Sequence, residues 1–417
     1  MEMDSFSIRN FGCRVNQAEA FDWAADLQGR GLRLEPECER GGLVIVNTCT
    51  LTQRADRDAR KFIRRVARLN PGARIVVTGC LAERDPEGLG NIDGVWRVLS
   101  NREKGSLAES LCLPAAAPAD TETRAYRCRA LLKVQDGCDM SCAFCIIPSV
   151  RGESRSVCLT DALERFDRLV RLGYQEIVLT GIHLCSYGRD LKPKSSLLEL
   201  LERLEIHPAE VKIRLSSLDP RLLPRPLLRR LASSPKICPH FHLSLQHGSD
   251  GILKAMGRAS TASEYGEILA FLKGVSPEAA LGADIIVGFP SETDRDFADM
   301  EDFLSRSPLT YFHVFSYSPR PGTPASGDRP VDPRTTKERA ACLRRISKQK
   351  NLLSRESMFG RRLEGVVIRR GPGGGARVLT ANYIDVCVPA CPASEGEAVA
   401  VRIDRVTAKE TRGEICP

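Results

Sequence analysis

The sequence predicts an α/β protein in three parts: an N-terminal parallel α/β domain, a central partial (β/α)6 barrel and a small C-terminal all-β barrel. Three features carry this. Short apolar runs alternate with amphipathic stretches before Pro114, a second βα series starts at Ala130, and after Glu356 short strand patterns stand among glycines and prolines. In the first part Phe6 to Phe11, Leu43 to Asn47 and Arg74 to Thr78 read as strands, Asn16 to Arg30 and Thr52 to Leu69 as helices, and each strand leads to a cysteine. Pro114 to Thr123 has no periodicity and reads as a linker. The second series places strands at Ala130 to Gln135, Glu176 to Thr180, Lys212 to Leu215, Phe241 to Leu245, Asp284 to Val287 and Tyr311 to Phe315, a barrel whose site belongs at the strand C-terminal ends. Arg362 to Ile368, Ala376 to Leu379, Asp385 to Val388 and Ala398 to Ile403 complete the all-β module. The expected domains are 1–113, a linker at 114–124, 125–355 and 356–417.

A chain of 417 residues supports two or three domains with cores of their own. A hydrophobic fraction of 42% and a charged fraction of 27% are ordinary for globular proteins, and no apolar run is long enough to cross a bilayer. The acidic, polar start is unlike a cationic export signal, so a cytoplasmic location is expected. Sixteen cysteines in such a chain point to metal ligation or redox chemistry rather than to a disulfide framework. The net charge of +8 is uneven: Lys337, Arg339, Arg344, Arg345, Lys348, Lys350, Arg355, Arg361, Arg362, Arg369 and Arg370 stand against three glutamates. That suits a phosphate-facing surface, although a solvated helix face is the plainer reading of a charge run.

Cys138, Cys142 and Cys145 lie in the loop after the first barrel strand. Thiolates this close together hold three corners of a cubane iron–sulfur cluster and leave the fourth iron open to an amino and carboxylate chelate. Structural zinc wants four closed ligands, and no fourth cysteine lies nearby. Cys13, Cys49 and Cys80 form a looser set. Each follows a strand of the N-terminal sheet, so their loops open on one edge, where α/β folds collect ligands. Buried inert cysteine weighs equally for these three.

Lys133 to Pro148, continuing through Arg151-Gly152-Glu153-Ser154-Arg155-Ser156, resembles the radical S-adenosylmethionine motif of the methylthiotransferase family. Phe11 to Gln17, Asn47 to Thr50, Thr78 to Cys80, His242 to Gln246, Ile285 to Pro290 and Tyr317 to Thr323 resemble the same family in order, over nearly the whole chain. The resemblance implies two 4Fe–4S clusters, one on Cys138, Cys142 and Cys145 and a second, sulfur-carrying one on Cys13, Cys49 and Cys80. It assigns S-adenosylmethionine contacts to Phe144, Thr180, Gly181, Ser216, Gln246, Ile286, Val287, Val314 and Phe315. His183 stands where the family usually has asparagine, His247 where it has serine and Ser291 where it has glycine. The other ten cysteines match no ligand position.

In the reaction so implied, one S-adenosylmethionine methylates sulfur at the second cluster and another is cleaved reductively to a 5′-deoxyadenosyl radical. The radical takes hydrogen from an unactivated C–H bond, and the carbon captures the methylthio group. The C-terminal module resembles the family's TRAM domain, an RNA-binding barrel, in which Tyr383 is expected to be exposed for base stacking. Gly12 to Gln17, Gln135 to Gly137 and Arg151 to Ser156 look most like the branch acting on N6-threonylcarbamoyladenosine beside the anticodon of transfer RNA. The expected partners are transfer RNA and an electron donor such as flavodoxin or ferredoxin, with the sulfur donor open, no membrane and a monomeric chain. The competing readings are methylthiolation of isopentenyladenosine, methylthiolation of an aspartate on a ribosomal protein, and an RNA-binding protein with structural metal.

Overall fold

The computed structural model describes residues 4–113 and 127–416, so the linker expected at 114–124 lies outside the described residues. The chain forms two compact units, and each draws on more than one stretch of sequence. The first comprises residues 1–127, 136–155 and 318–326; the second comprises 128–135, 156–317 and 327–417.

The first unit holds β1 (Ser5–Asn10), α1 (Arg14–Gly29), β2 (Arg33–Leu34), β3 (Leu43–Thr48), α2 (Gln53–Leu69), β4 (Arg74–Gly79), α3 (Cys80–Arg84), α4 (Pro86–Gly90), β5 (Val95–Val98), α5 (Leu107–Ser110) and α6 (Ile147–Arg151). Its five strands pair in parallel in the order β2-β1-β3-β4-β5. All of β3 is buried. Alternate residues serve the two faces: Leu43 and Ile45 pack with Phe6, Trp23 and Leu27 on one side, and Val44 and Val46 pack with Ile63, Val66 and Val77 on the other. Thr52 caps α2 by accepting from the Ala55 amide at 3.2 Å, and the helix turns Ala59, Ile63 and Val66 inward at helical spacing. Gly79 (φ 94°) ends β4 because a Cβ there would lie 2.4 Å from the Thr48 carbonyl oxygen. Two strands escaped the sequence reading. β2 has only two residues, and β5 carries the exposed Trp96 in place of an apolar alternation.

The second unit begins with β6 (Ala130–Lys133), and the strand expected to run on to Gln135 breaks at Val134; β7 (Gln135–Asp136) and its partner β8 (Arg155–Ser156) lie at the sequence boundaries of the units. α7 (Leu159–Arg171), β9 (Glu176–Thr180), α8 (Leu197–Glu205), β10 (Lys212–Leu215), α9 (Arg225–Ser233), β11 (His240–Gln246), α10 (Asp250–Ala255), α11 (Ala262–Val275), β12 (Ala280–Val287), α12 (Asp294–Arg306), β13 (Tyr311–Ser316) and α13 (Pro333–Glu356) follow. The parallel sheets β10-β9-β6 and β11-β12-β13 are joined where Leu218 donates to the His242 carbonyl at 2.8 Å and Ser244 donates to that of Leu218 at 2.9 Å. The result is a partial six-stranded barrel. β12 starts four residues earlier than expected, since Ala280 to Ala283 are small or apolar and wholly buried. β14 (Arg362–Arg370), β15 (Ala376–Thr380), β16 (Asp385–Val388), β17 (Ala398–Val406) and β18 (Thr411–Ile415) close a five-stranded barrel around Val367, Val378, Val386, Val401 and Ile403. The sequence reading missed β18, whose Thr-Arg-Gly-Glu-Ile run lacks apolar alternation.

Arg214, fully buried, holds the small barrel to the strands of this unit. It pairs with Glu176 at 2.7 and 2.9 Å and donates to the carbonyls of Thr380 (3.2 Å) and Ala381 (3.0 Å). Its guanidinium lies 5.2 Å from the Tyr383 ring, which stacks on His240 at 4.1 Å. Tyr383 is therefore half-buried and engaged within the unit, and the expectation of a free stacking aromatic there is corrected. The basic run is also dispersed. Arg339 is buried against Glu292 (2.5 Å), Lys350 donates to the Ser307 carbonyl (2.7 Å) and Arg355 to that of Thr407 (2.9 Å), leaving the rest on α13 and β14 exposed.

Burial alone would raise the Glu176 carboxyl, but Arg214 and Arg129 overcome it and hold the group at about 2, below its ordinary 4.5. The ionised form carries the stabilisation. It is complete above pH 4.5 and lost as pH falls towards 2. Urea titrations across that window should show Glu176→Gln with a flatter acid dependence than wild type, and Arg214→Met should cost about 3–5 kcal/mol at neutral pH by stranding a buried carboxylate.

Candidate active site

The first unit's sheet sets out three thiols. Cys13 precedes α1, Cys49 follows β3 and Cys80 opens α3, at the C-terminal ends of the adjacent parallel strands β1, β3 and β4. Cys13 Sγ donates to Asn16 Oδ1 at 3.3 Å, and Cys49 Sγ accepts from the Leu51 amide at 3.5 Å. Burial pushes the Cys49 thiol up to about 12, with neighbouring Cys80 and Cys13 adding to the shift. Cys80 is raised by burial and partly restored by Arg151.

Arg151, at the end of α6, is 1% exposed in its side chain. Its Nε donates to Cys80 Sγ at 3.3 Å, one terminal nitrogen to Glu19 and Asp136 at 2.9 Å each, and the other to Asn16 Oδ1 at 2.9 Å. Lys104, also buried, donates to Glu19 at 2.9 Å, and Asn16 and Asn47 join side chains at 2.8 Å. Burial would weaken the Arg151 cation, but Glu19 and the thiols hold its pKa well above the ordinary value.

Cys138, Cys142 and Cys145 stand half-buried in the loop between β7 and α6, in this same unit. The loop is shaped by its backbone: Cys138 donates to the Gly152 carbonyl and Cys145 to that of Cys142, both at 3.0 Å, and Asp139 accepts from the Ser154 amide at 2.8 Å. Gly137 (φ 71°) permits this shape, since a Cβ would fall 1.9 Å from the Glu153 carbonyl oxygen. Phe144 is half-buried in the loop.

The donor chemistry fits iron–sulfur clusters at both triples. Thiolates must form for iron to bind, and iron supplies positive charge that offsets the burial raising Cys49 and Cys80. Arg320, 1% exposed, adds a second sign. It pairs with Asp56 at 2.6 Å and with Thr50, the residue after Cys49, at 2.5 Å, while its buried Nε and Nη1 find no acceptor among the described residues. Orphaned donors suit an anionic, sulfur-rich group.

The remaining predicted contacts lie in the second unit, at the ends of its barrel strands. Thr180 and Ser216 are buried, and Ser216 Oγ lies 3.4 Å from the Gly181 amide that donates to it. Gln246 sits at a bulge with φ 81°. Ile286 and Phe315, the latter 45% exposed, share the face of β12 and β13 that carries Asp284 and His313, whereas Val287 and Val314 point to the opposite face. The three departures have partners. His183 Nε2 lies 3.2 Å from Asp219, buried His247 lies 3.4 Å from Glu292, and Ser291 holds φ 69°, the left-handed conformation for which glycine is the usual choice.

Residues 132–304 match the radical SAM superfamily, and residues 5–99 match a family described as "Uncharacterized protein family UPF0004". The threonylcarbamoyladenosine tRNA methylthiotransferase MtaB of Aquifex aeolicus is 36% identical, covering 91% of this chain and 95% of its own. The chain belongs to the radical S-adenosylmethionine methylthiotransferase family. The tRNA-2-methylthio-N(6)-dimethylallyladenosine synthase of Parafrankia is 32% identical over 88% of this methylthiotransferase and 78% of its own length. Among solved structures, the radical S-adenosylmethionine methyltransferase TsrM of Kitasatospora setae, with cobalamin and a 4Fe–4S cluster bound, aligns at a TM-score of 0.57 and 14% identity over 78% of this chain and 77% of its own, a likeness of fold.

The sequence reading gave no role to Arg151, Glu19, Lys104 or Arg320. Arg151 stands inside the Arg-Gly-Glu-Ser-Arg-Ser motif and Arg320 inside Tyr317 to Thr323, and those motifs were the available signal; Glu19 and Lys104 look like surface charges until α1 is folded. Arg151→Met should cost the cluster-free protein about 3–5 kcal/mol by urea denaturation under reducing conditions. Arg151→Lys should recover little of it, since an ammonium cannot replace a fork engaging four partners.

Proposed function

We propose that this enzyme attaches a methylthio group to C2 of N6-threonylcarbamoyladenosine beside the anticodon of transfer RNA. The observation that carries the reading is the pair of cysteine triples in one unit, one local in sequence and one gathered from three strand ends. Cys138, Cys142 and Cys145 hold the cluster that binds S-adenosylmethionine, and Cys13, Cys49 and Cys80 hold the cluster that carries the sulfur. These clusters, when bound, supply the reducing electron and the sulfur. The protein supplies ligation and shielding from water, with Arg151 and Arg320 as buried donors beside the second triple. Phe144, Thr180, Gly181, Ser216, Gln246, Ile286 and Phe315 contact S-adenosylmethionine, with Val287 and Val314, whose side chains turn to the opposite face, contributing backbone groups. The domains are 1–113, 125–355 and 356–417, the last a TRAM module; the exposed cations Lys337, Arg344, Arg345, Lys348, Arg361, Arg362, Arg369 and Arg370 support binding of RNA phosphates. No helix among the described residues is long and apolar enough to cross a membrane. The enzyme acts in the cytoplasm as a monomer, reduced by a flavodoxin- or ferredoxin-like donor.

Mass spectrometry of transfer RNA nucleosides from a strain lacking the gene tests the reading. The 2-methylthio derivative of threonylcarbamoyladenosine should disappear and return with the wild-type gene but not with Cys142→Ala. Loss of methylthio-isopentenyladenosine instead would move the chain to the other tRNA branch, and unchanged RNA with an unmodified ribosomal aspartate would move it to a protein target. Separately, Cys49→Ala should halve the iron content of the anaerobically reconstituted protein.

A further inference from the structure

We infer that His242, Asp284 and His313 form a binding site for one divalent first-row transition ion, built from residues outside both cysteine triples. The three side chains project from the adjacent parallel strands β11, β12 and β13, and their donor atoms all lie within 4.8 Å of one another. Asp284 and His313 are register partners. His242 Nε2 lies 3.0 Å from Asp284 Oδ2, and the two imidazoles face each other at 5.6 Å with 30° between their planes. Two imidazole nitrogens and a carboxylate from three strands match the preference of Mn(II), Fe(II), Co(II) or Zn(II), and three protein donors leave coordination positions for oxygen ligands. Asp284 and the exposed His313 keep an approach open.

Support around these donors follows the pattern of a metal ligand shell. His242 Nδ1 lies 3.4 Å from the Tyr311 hydroxyl, which is itself 2.7 Å from His240 Nε2, so Nε2 is the nitrogen turned to Asp284. Anchoring the far nitrogen holds the ring in this orientation. Gly282 leaves the space this needs: a Cβ there would come within 2.4 Å of the Tyr311 ring and hydroxyl and 2.9 Å of His242 Nδ1. A hydrogen-bonded His242–Asp284 pair alone would not need His313 within ligating distance of both.

Mn(II) titration of the anaerobically reconstituted full chain, followed by the EPR signal of free Mn(II) with the clusters in their oxidised, EPR-silent state, tests the site. Wild type should bind one Mn(II) that Zn(II) displaces. Asp284→Asn and His313→Ala should each weaken that binding at least tenfold with cluster iron and circular dichroism unchanged, and Tyr311→Phe should weaken it about tenfold. If wild type takes up no Mn(II), or if His313→Ala and Asp284→Asn bind it as wild type does, the cluster is a hydrogen-bonded pair with a neighbouring histidine and the inference falls. The result is independent of which nucleoside the enzyme modifies.

Discussion

A guanidinium sealed from water among a thiol, two carboxylates and an amide is the constraint on which the first unit depends. Burying an arginine is tolerable only when its N–H groups are accepted, because an unpaired charge in that environment costs several kcal/mol. The acceptors of Arg151 sit at positions 16, 19, 80 and 136, so one side chain fixes α1, α3 and the approach to the Cys138 loop together. Lys104 completes the balance. Two cations face Glu19 and Asp136 before any thiolate forms, so the charges of this cluster balance without the cysteines.

The two units follow different economies of charge. In the second, Arg214 and Glu176 serve architecture, tying barrel strands to the carbonyls of Thr380 and Ala381, far from any cysteine triple in sequence. The same geometry that makes Tyr383 a structural ring over Arg214 takes it away from RNA. The outer surface of the small barrel carries exposed cations such as Arg362, Arg369 and Arg370.

Much of this was legible in the sequence, for identifiable reasons. Buried parallel strands announce themselves as continuous apolar runs, so β3 and β4 were placed within a residue of their ends, and the local triple at Cys138 stood out by its spacing. What escaped was tertiary. β18 pairs in parallel with β16 without an apolar pattern, Glu19 and Lys104 become buried only through a partner 85 positions away, and nothing local marks His313 as the neighbour of His242. The departure at Ser291 was visible as a residue type, but its backbone consequence was not: a left-handed serine stands one residue before Glu292, whose carboxylate engages His247, Arg339 and the Gly288 amide.

The make-up of the first unit also bears on how the protein is born. Its sheet is complete once Val98 has been synthesised, yet Arg320 anchors to Asp56 and Thr50, and the segment 318–326 belongs to that unit rather than to the one encoded around it. On the ribosome, the N-terminal sheet must wait for more than two hundred further residues before that arginine arrives. A nascent chain therefore carries its strand-end thiols in an unfinished shell throughout translation of the barrel. The shell around those thiols is finished only once Arg320 has been made and has reached Asp56 and Thr50.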